Sequence, residues 1–197
     1  LLQEALSIDF ATAAREVDKI VNNIEETPFK ADVDIDRRRQ SLNELWSKAK
    51  APGTTTAYLQ IRGIPNEIIQ AVSDLRGINY CYHKEYGKSY PAMLALIRNT
   101  KGDPISIHRT YFITGQDGSA ARREKKIMPP LETITGGCVR LGEPQDTLVL
   151  AEGIETALAA WAITGHPAWA TINAHSLAEM KSIPRHVKRV IICADND

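Results

Sequence analysis

The chain has 197 residues, 43% hydrophobic and 24% charged, which is length enough for one domain or two small ones and the composition of an ordinary soluble globular protein. Its 24 Lys+Arg balance 24 Asp+Glu, so net charge excludes a global attraction to nucleic acid or to a membrane surface. Three scattered cysteines without a CxxC pair exclude a zinc ribbon and a disulfide framework, and no long apolar run or signal-like start is present, so the chain reads as cytoplasmic with no membrane partner.

Residues 8–26 and 35–50 carry apolar side chains at helical spacing (Phe10, Ala14, Val17, Ile20, Val21; then Leu42, Leu45, Trp46) and predict two helices. The charged stretch 30–39 reads as a solvated linker or helix start. Pro52-Gly53 breaks the second helix. Residues 54–56 offer an N-cap for a short helix through Tyr58 and Leu59 that ends near Gly63. Pro65 suits the first turn of a further helix carrying Ile68, Ile69, Val72 and Leu75.

From about Asn79 the period changes. Residues 90–98 (YPAMLALIR) and 104–113 (PISIHRTYFI) predict strands joined by a turn-rich link, and Gln116-Asp117-Gly118 marks a second turn. A basic run follows, Arg122-Arg123-Glu124-Lys125-Lys126, which taken alone reads as a solvated loop. Between residues 98 and 126 the chain holds seven Lys/Arg against three Asp/Glu, and residues 181–189 add four bases with no acid. Gly136-Gly137, a short strand through Val139 and Leu141, and Gly142-Glu143-Pro144 close this region. The expected domains are a helical region and linker (1–50), an α+β subdomain (51–144) and a final domain (145–197).

That final segment has a β-α-β-α-β pattern. Residues 147–151 (TLVLA) and 188–194 (KRVIICA) read as parallel strands buried on both faces. Between them lie a helix over 154–164 ended by Gly165, a strand over 168–172, and a short helix opened by a capping box at 176–179 and terminated by Pro184.

Two acidic features sit at predicted strand ends: Glu152-Gly153 and Asp195-Asn196-Asp197. Ligands of open α/β sheets bind outside the carboxyl ends of the strands, so both fall on the functional edge. Asp-x-Asp on extended chain points its carboxylates to one side, where a hard cation is shared. Acids crowded in this way repel unless a divalent cation neutralises them, which makes Mg²⁺ or Mn²⁺ the natural occupant. Each feature alone is common turn chemistry; the order of the two after buried strands carries the assignment. Gly153 is expected to permit a tight strand-to-helix turn, and Glu155 to be a solvated helix residue.

The run LVLAEGIETAL (148–158) resembles the first motif of the Toprim superfamily, ATINAHSL (170–177) is similar to its second strand and loop, and VIICADND (190–197) resembles its Asp-x-Asp motif. Within that superfamily the Glu-Gly-x-Glu-Thr-Ala form resembles primase-like proteins of phages, plasmids and integrated elements. The likeness continues upstream through Tyr58, Arg62-Gly63-Ile64, Leu75-Arg76, residues 90–95, His108-Arg109-Thr110-Tyr111 and Gly136-Gly137-Cys138-Val139-Arg140-Leu141. It departs from bacterial housekeeping primases at Thr156, where those have aspartate, and at Asn173-Ala174-His175, where the loop is usually glycine-rich.

The resemblance implies a Rossmann-like, mostly parallel α/β Toprim sheet, incomplete at its C-terminal end, preceded by a mixed α+β subdomain. It implies a nucleotidyltransferase making RNA primers on single-stranded DNA from ribonucleoside triphosphates. Glu152 would act as general acid/base or metal contact, and Asp195 and Asp197 would hold Mg²⁺ or Mn²⁺. Arg109, Arg122, Arg123, Lys125 and Lys126 are candidate contacts to template or triphosphate, and His108 and Arg109 read equally as one polar face of a sheet. A replicative helicase, fused or separate, is an expected partner. A chain that starts without Met and stops after a motif reads as a piece of something longer, inactive by itself. The competing functions are a nuclease or topoisomerase activity, and a non-catalytic module that binds nucleic acid.

Overall fold

The computed structural model describes residues 31–50, 53–113, 122–181 and 183–194. The predicted helix over 8–26, the turn at 116–118 and the Asp-x-Asp pair lie outside the described residues. Residues from Ile35 onward form one compact unit.

Helix α1 (Ala31–Lys48) begins earlier than its apolar spacing indicates. It is followed by α2 (Gly53–Ile61) and α3 (Asn66–Ala71), the latter with Pro65 at its N-cap. Thr55 is no cap; its hydroxyl donates to the Arg76 carbonyl at 3.3 Å from inside the first turn of α2. Leu75 does not belong to α3. It opens strand β1 (Leu75–His83), which continues into β2 (Lys88–Arg98), β3 (Pro104–Ile113) and β4 (Arg122–Ile127) as an antiparallel meander in that order. The basic run is therefore an edge strand and not a loop.

Both faces of this meander are covered. On one, Leu42 of α1 packs with Cys81, Leu94, Leu96, Ile107 and Tyr111. On the other, Leu59, Ile68, Ile69, Met93, Ala95 and Ile97 share a single core with Val149, Ala151, Ala157 and Leu158 of the C-terminal layer. The two sequence-expected domains thus bury apolar surface against each other.

The C-terminal layer is a second four-stranded sheet of β5 (Val139–Arg140), β6 (Thr147–Ala151), β7 (Ala168–Ala170) and β8 (Arg189–Cys193) in the order β5-β7-β6-β8. β6 is parallel to both β7 and β8, while β5 runs antiparallel to β7. Every residue of β6 is buried, as its unbroken apolar run requires. Helix α4 (Ile154–Thr164) covers one face and ends where Gly165 takes the left-handed conformation (φ 71°) that its missing Cβ permits. Leu177, Met180, Ile183 and Val187 cover the other face over Leu148, Leu150 and Trp169.

Two expectations are corrected in this layer. β8 is an edge and not a buried strand: Val190 is 37% and Ile192 60% exposed. The short helix α5 (Ala174–Ala178) is capped by Asn173, whose side chain accepts from Ser176 N at 2.7 Å, so Ser176 lies within the helix and not at its cap. The helix also ends before Pro184.

The two sheets are joined at one seam. Arg98 N donates to Cys138 O at 2.8 Å and Cys138 N returns a bond to Arg98 O at 3.0 Å, tying β2 to the chain entering β5. The Arg98 guanidinium grips buried Asp74 through Nε (2.6 Å) and Nη2 (2.7 Å) and reaches the Gly102 carbonyl through Nη1 (2.9 Å). Gly142, at the expected domain boundary, is a packing point: Trp169 Nε1 donates to its carbonyl at 2.9 Å. A Cβ at Gly142 would drive into the Trp161 indole and stand 3.2 Å from Pro167 Cβ. Gly142→Ala is therefore expected to destabilise the protein by about 1–3 kcal/mol through overpacking. Denaturant unfolding reads this directly, and an unchanged midpoint would show that 142–144 is a free linker.

Candidate active site

Glu152 follows the last residue of β6, and in the parallel register Ala151 lies opposite Cys193, the last residue of β8. The ends of β6 and β8 are thus side by side, with Glu152 one residue beyond the first and Asp195 two residues beyond the second in sequence. Gly153 holds φ −87° and ψ 149°, ordinary extended backbone, so the strand-to-helix turn does not demand glycine. What glycine leaves there is room: Gly153 lines a cavity of about 270 Å³ together with Glu152, Ile154, Ile172, His108 and Lys125.

The backbone beside Glu152 is strained. Ile172 has φ 71°, the left-handed region that a β-branched residue avoids, at a cost of about 1–3 kcal/mol. Its N–H donates to Glu152 O at 2.9 Å, and Thr171 N donates to Ala151 O at 2.9 Å. β7 therefore ends by turning its chain over the end of β6, where a longer strand through 172 is expected from sequence.

The other wall comes from the meander. Cross-strand pairs share a face, so Thr110 with Lys125 and Phe112 with Arg123 lie on one side, while Arg109 with Lys126 and Ile113 with Arg122 lie on the other. Pleating divides the predicted bases. Arg123 and Lys125 face the C-terminal layer: Arg123 Nη1 donates to Tyr58 Oη at 3.0 Å, Tyr58 Oη to Glu155 Oε1 at 2.8 Å, and Lys125 Nζ to Glu155 Oε2 at 3.4 Å. Arg109, Arg122 and Lys126 are turned away from Glu152. Lys126 Nζ lies 2.8 Å from Glu85 and 3.1 Å from Glu124, Arg122 lies 3.6 Å from Glu124, and Arg109 stands over the Tyr111 ring at 5.6 Å.

Two residues of this wall carry more than their sequence context indicates. Glu155 is neither solvated nor open; its side chain is 15% exposed. Burial pushes its carboxyl up, but its own backbone N–H, the Lys125 ammonium and the Tyr58 hydroxyl outweigh that and hold it below the usual carboxylate range. His108 is 7% exposed, and burial followed by the Lys125 charge pushes its imidazole down to about 4, with Glu155 opposing. Its Nδ1 is buried without a partner. The sequence signal for His108 was its position beside Arg109 in a strand; for Glu155 it was the spacing of one helical turn from Glu152.

Away from this site, His83, Glu85 and Glu124 bring ligand atoms within 4.8 Å of one another. Lys126 already sits among them as their cation. Cys81 takes no part there and instead meets the Tyr111 hydroxyl at 3.6 Å.

Residues 36–141 match a family model described as a domain of unknown function (DUF7146), more than half of the chain. The chain belongs to this family. Residues 147–197 match a Toprim domain, so the Glu152 motif and the Asp-x-Asp pair fall within one Toprim segment attached to the DUF7146 segment. The fold is that of bacterial primase catalytic cores. A DNA primase domain from Pseudomonas aeruginosa superposes with a TM-score of 0.52 at 18% identity, covering 81% of this chain and 62% of that one. The Aquifex aeolicus primase (zinc-binding and RNA polymerase domains) gives 0.50 at 15% identity, covering 100% of this chain and 56% of that one. A DnaG catalytic core gives 0.50 at 16%, covering 83% and 62%. The chain thus spans 56–62% of the primase structures it resembles. No curated protein matches it. Among the described residues no helix is long and apolar enough to cross a membrane.

The Glu155 network is testable by charge alone. A carboxyl held below its ordinary range contributes stability that is present above that range and lost as pH falls through its folded value. Lys125 is half-exposed, so screening leaves the pair worth only about 0.5–1 kcal/mol. The stability gap between wild type and Glu155→Gln should be open at neutral pH and close on acidification. Thermal melts from neutral to acid pH check this; a gap that widens in acid would remove the Lys125 attraction as its cause.

Proposed function

We propose that the protein is a primase-type nucleotidyltransferase that makes RNA primers on single-stranded DNA during replication of a phage or other mobile element. The observation that carries this reading is the juxtaposition at the end of β6. A carboxylate, Glu152, shares a cavity with a cation, Lys125, supplied by the strand that the pleat turns toward it. The Toprim match adds Asp195 and Asp197 to the same motif set. The division into a helical region to residue 50, an α+β subdomain to 144 and a partial Toprim domain belongs to the same proposal.

The donor chemistry fits Mg²⁺ or Mn²⁺. Hard oxygen ligands are what such ions take, and Glu152 has no side-chain hydrogen bond or ion pair among the described residues to compete. Glu152, Asp195 and Asp197 would hold the ion, which when bound neutralises triphosphate charge and orients the attacking hydroxyl. Lys125 adds positive charge at the cavity mouth for the phosphates. Arg123, on the same face of the edge strand, would meet the template backbone during primer synthesis from ribonucleoside triphosphates. Arg109, Arg122 and Lys126, on the opposite face, would contact nucleic acid only if the strand passes round the β4 edge. A helicase, fused or separate, is the expected partner in the cell.

The test is primer synthesis by the full-length protein with single-stranded DNA, Mg²⁺ and labelled ribonucleotides. Glu152→Ala, and Asp195→Ala with Asp197→Ala, should each lower product at least a hundredfold, while Lys126→Ala should stay within about threefold, because losing one exposed charge shifts binding little. Product that survives the aspartate pair sinks the metal assignment. Shortening of a labelled strand would instead show a nuclease, and binding without extension a non-catalytic module.

A further inference from the structure

The same cavity holds a buried side chain that the metal reading does not use. His108 belongs to β3, on the face turned to the C-terminal layer, and its ring has no hydrogen bond among the described residues. Nδ1 is buried and unpaired, out of reach of a ligand, so Nε2 is the ring nitrogen left to meet a partner from outside the protein. We propose that His108 binds a ribose hydroxyl of the nucleotide, seating the sugar between its ring and Glu152, and so favours ribonucleotides over deoxyribonucleotides. This rests on the site being one for nucleotides.

The lining argues for a sugar over the other parts of a nucleotide. A base is bound by stacking, and the lining has no Phe, Tyr or Trp; its one aromatic group is the buried His108 imidazole. A phosphate is drawn to charge, and Lys125, the one cation of the lining, stands half in solvent where a phosphate reaches it from outside. What remains inside is a small chamber with two apolar walls, Ile154 and Ile172, and two hydrogen-bonding groups, His108 and Glu152. That is the complement of a pentose, whose C–H faces are apolar and whose hydroxyls both donate and accept. Its volume of about 270 Å³ equals roughly nine waters, enough for one such ring and its hydroxyls. The strained Ile172 closes one of those walls, so that strain shapes the chamber.

The sugar could belong to the incoming triphosphate or to the 3′ end of the growing primer, and binding distinguishes the two. Affinities of the full-length protein with Mg²⁺ are measured for ATP against dATP, and, on template, for a short RNA primer against the same primer with a terminal deoxynucleotide. Wild type should favour the ribo form about tenfold in one arm, the worth of one well-placed hydrogen bond. His108→Phe should bring that ratio near one, and His108→Gln should restore part of it. Thermal melting and circular dichroism establish that each variant is folded before its ratio is read. Equal affinity of wild type for ribo and deoxy forms in both arms overturns the inference, as does a folded His108→Phe protein that keeps the wild-type ratio. These are binding measurements, so they stand apart from primer synthesis: a protein that discriminates by sugar yet never extends a primer would overturn the primase reading alone.

Discussion

The seam at Arg98 and Cys138 sets the geometry on which the site depends. Two reciprocal backbone hydrogen bonds join the meander to the chain entering the C-terminal sheet, and the Arg98 guanidinium is itself held by buried Asp74 and the Gly102 carbonyl. Backbone polar groups buried between two sheets must be paired, so this junction has one satisfied arrangement and no free slide. A buried bidentate ion pair is weak evidence of stability, but it is directional, and direction is what a junction needs. With the sheets locked at this point, the apolar core from Leu59 to Leu158 can close, and β3 and β4 lie over the ends of β6 and α4. The site is built from two segments because the core beneath it is.

Much of this was legible in the sequence. The strands 104–113 and 147–151 and the helix 154–164 stand at the bounds expected for them, because a turn-rich link before the first, a continuous apolar run in the second and a terminal Gly165 leave little freedom. β1 was hidden because Leu75 continues the helical spacing of Ile68, Ile69 and Val72; only pairing with β2 shows that α3 stops at Ala71. β4 was hidden because all but its last residue are charged. Its register with β3 is invisible to a single-segment reading, yet it is what turns Arg123 and Lys125 toward the C-terminal layer and Arg122 and Lys126 to the other face. α5 was misplaced for a related reason: Asn173 and Ser176 both suit an N-cap, and the left-handed turn at Ile172 decides for Asn173. The Toprim motif was legible as order and spacing, but the wall facing Glu152 depends on contacts nearly a hundred residues apart, such as Tyr58 with Glu155.

An alternating charged strand such as β4 answers two demands with one segment. Five consecutive charged residues on one surface would repel; divided by the pleat, each set meets its own acids, Glu155 on one face and Glu85 with Glu124 on the other. The exposed charges also guard an edge strand against pairing with another chain. The second acidic group, around His83, is therefore better understood as the counterweight of Lys126 than as a metal site. Its cation is already covalently part of the protein.

The end of β6 and the first turn of α4 carry two glutamates three residues apart, and the two differ in their surroundings. Glu155 accepts from Tyr58 on one oxygen and from Lys125 on the other and is mostly buried, so its carboxylate is engaged in the network that holds β4 to the helix. Glu152 stands at the strand end beside a cavity, with its backbone carbonyl tied to Ile172 and its carboxylate uncommitted among the described residues. A metal ligand has to be positioned by its backbone while its oxygens stay available, and of these two glutamates it is Glu152 that suits the role proposed for it. The satisfied glutamate is what keeps the open one useful. By anchoring α4 to the meander it holds Lys125 and His108 over the end of β6, so that the charge of Glu152 faces a walled cavity and not bulk water, where its attraction for a cation would be largely screened.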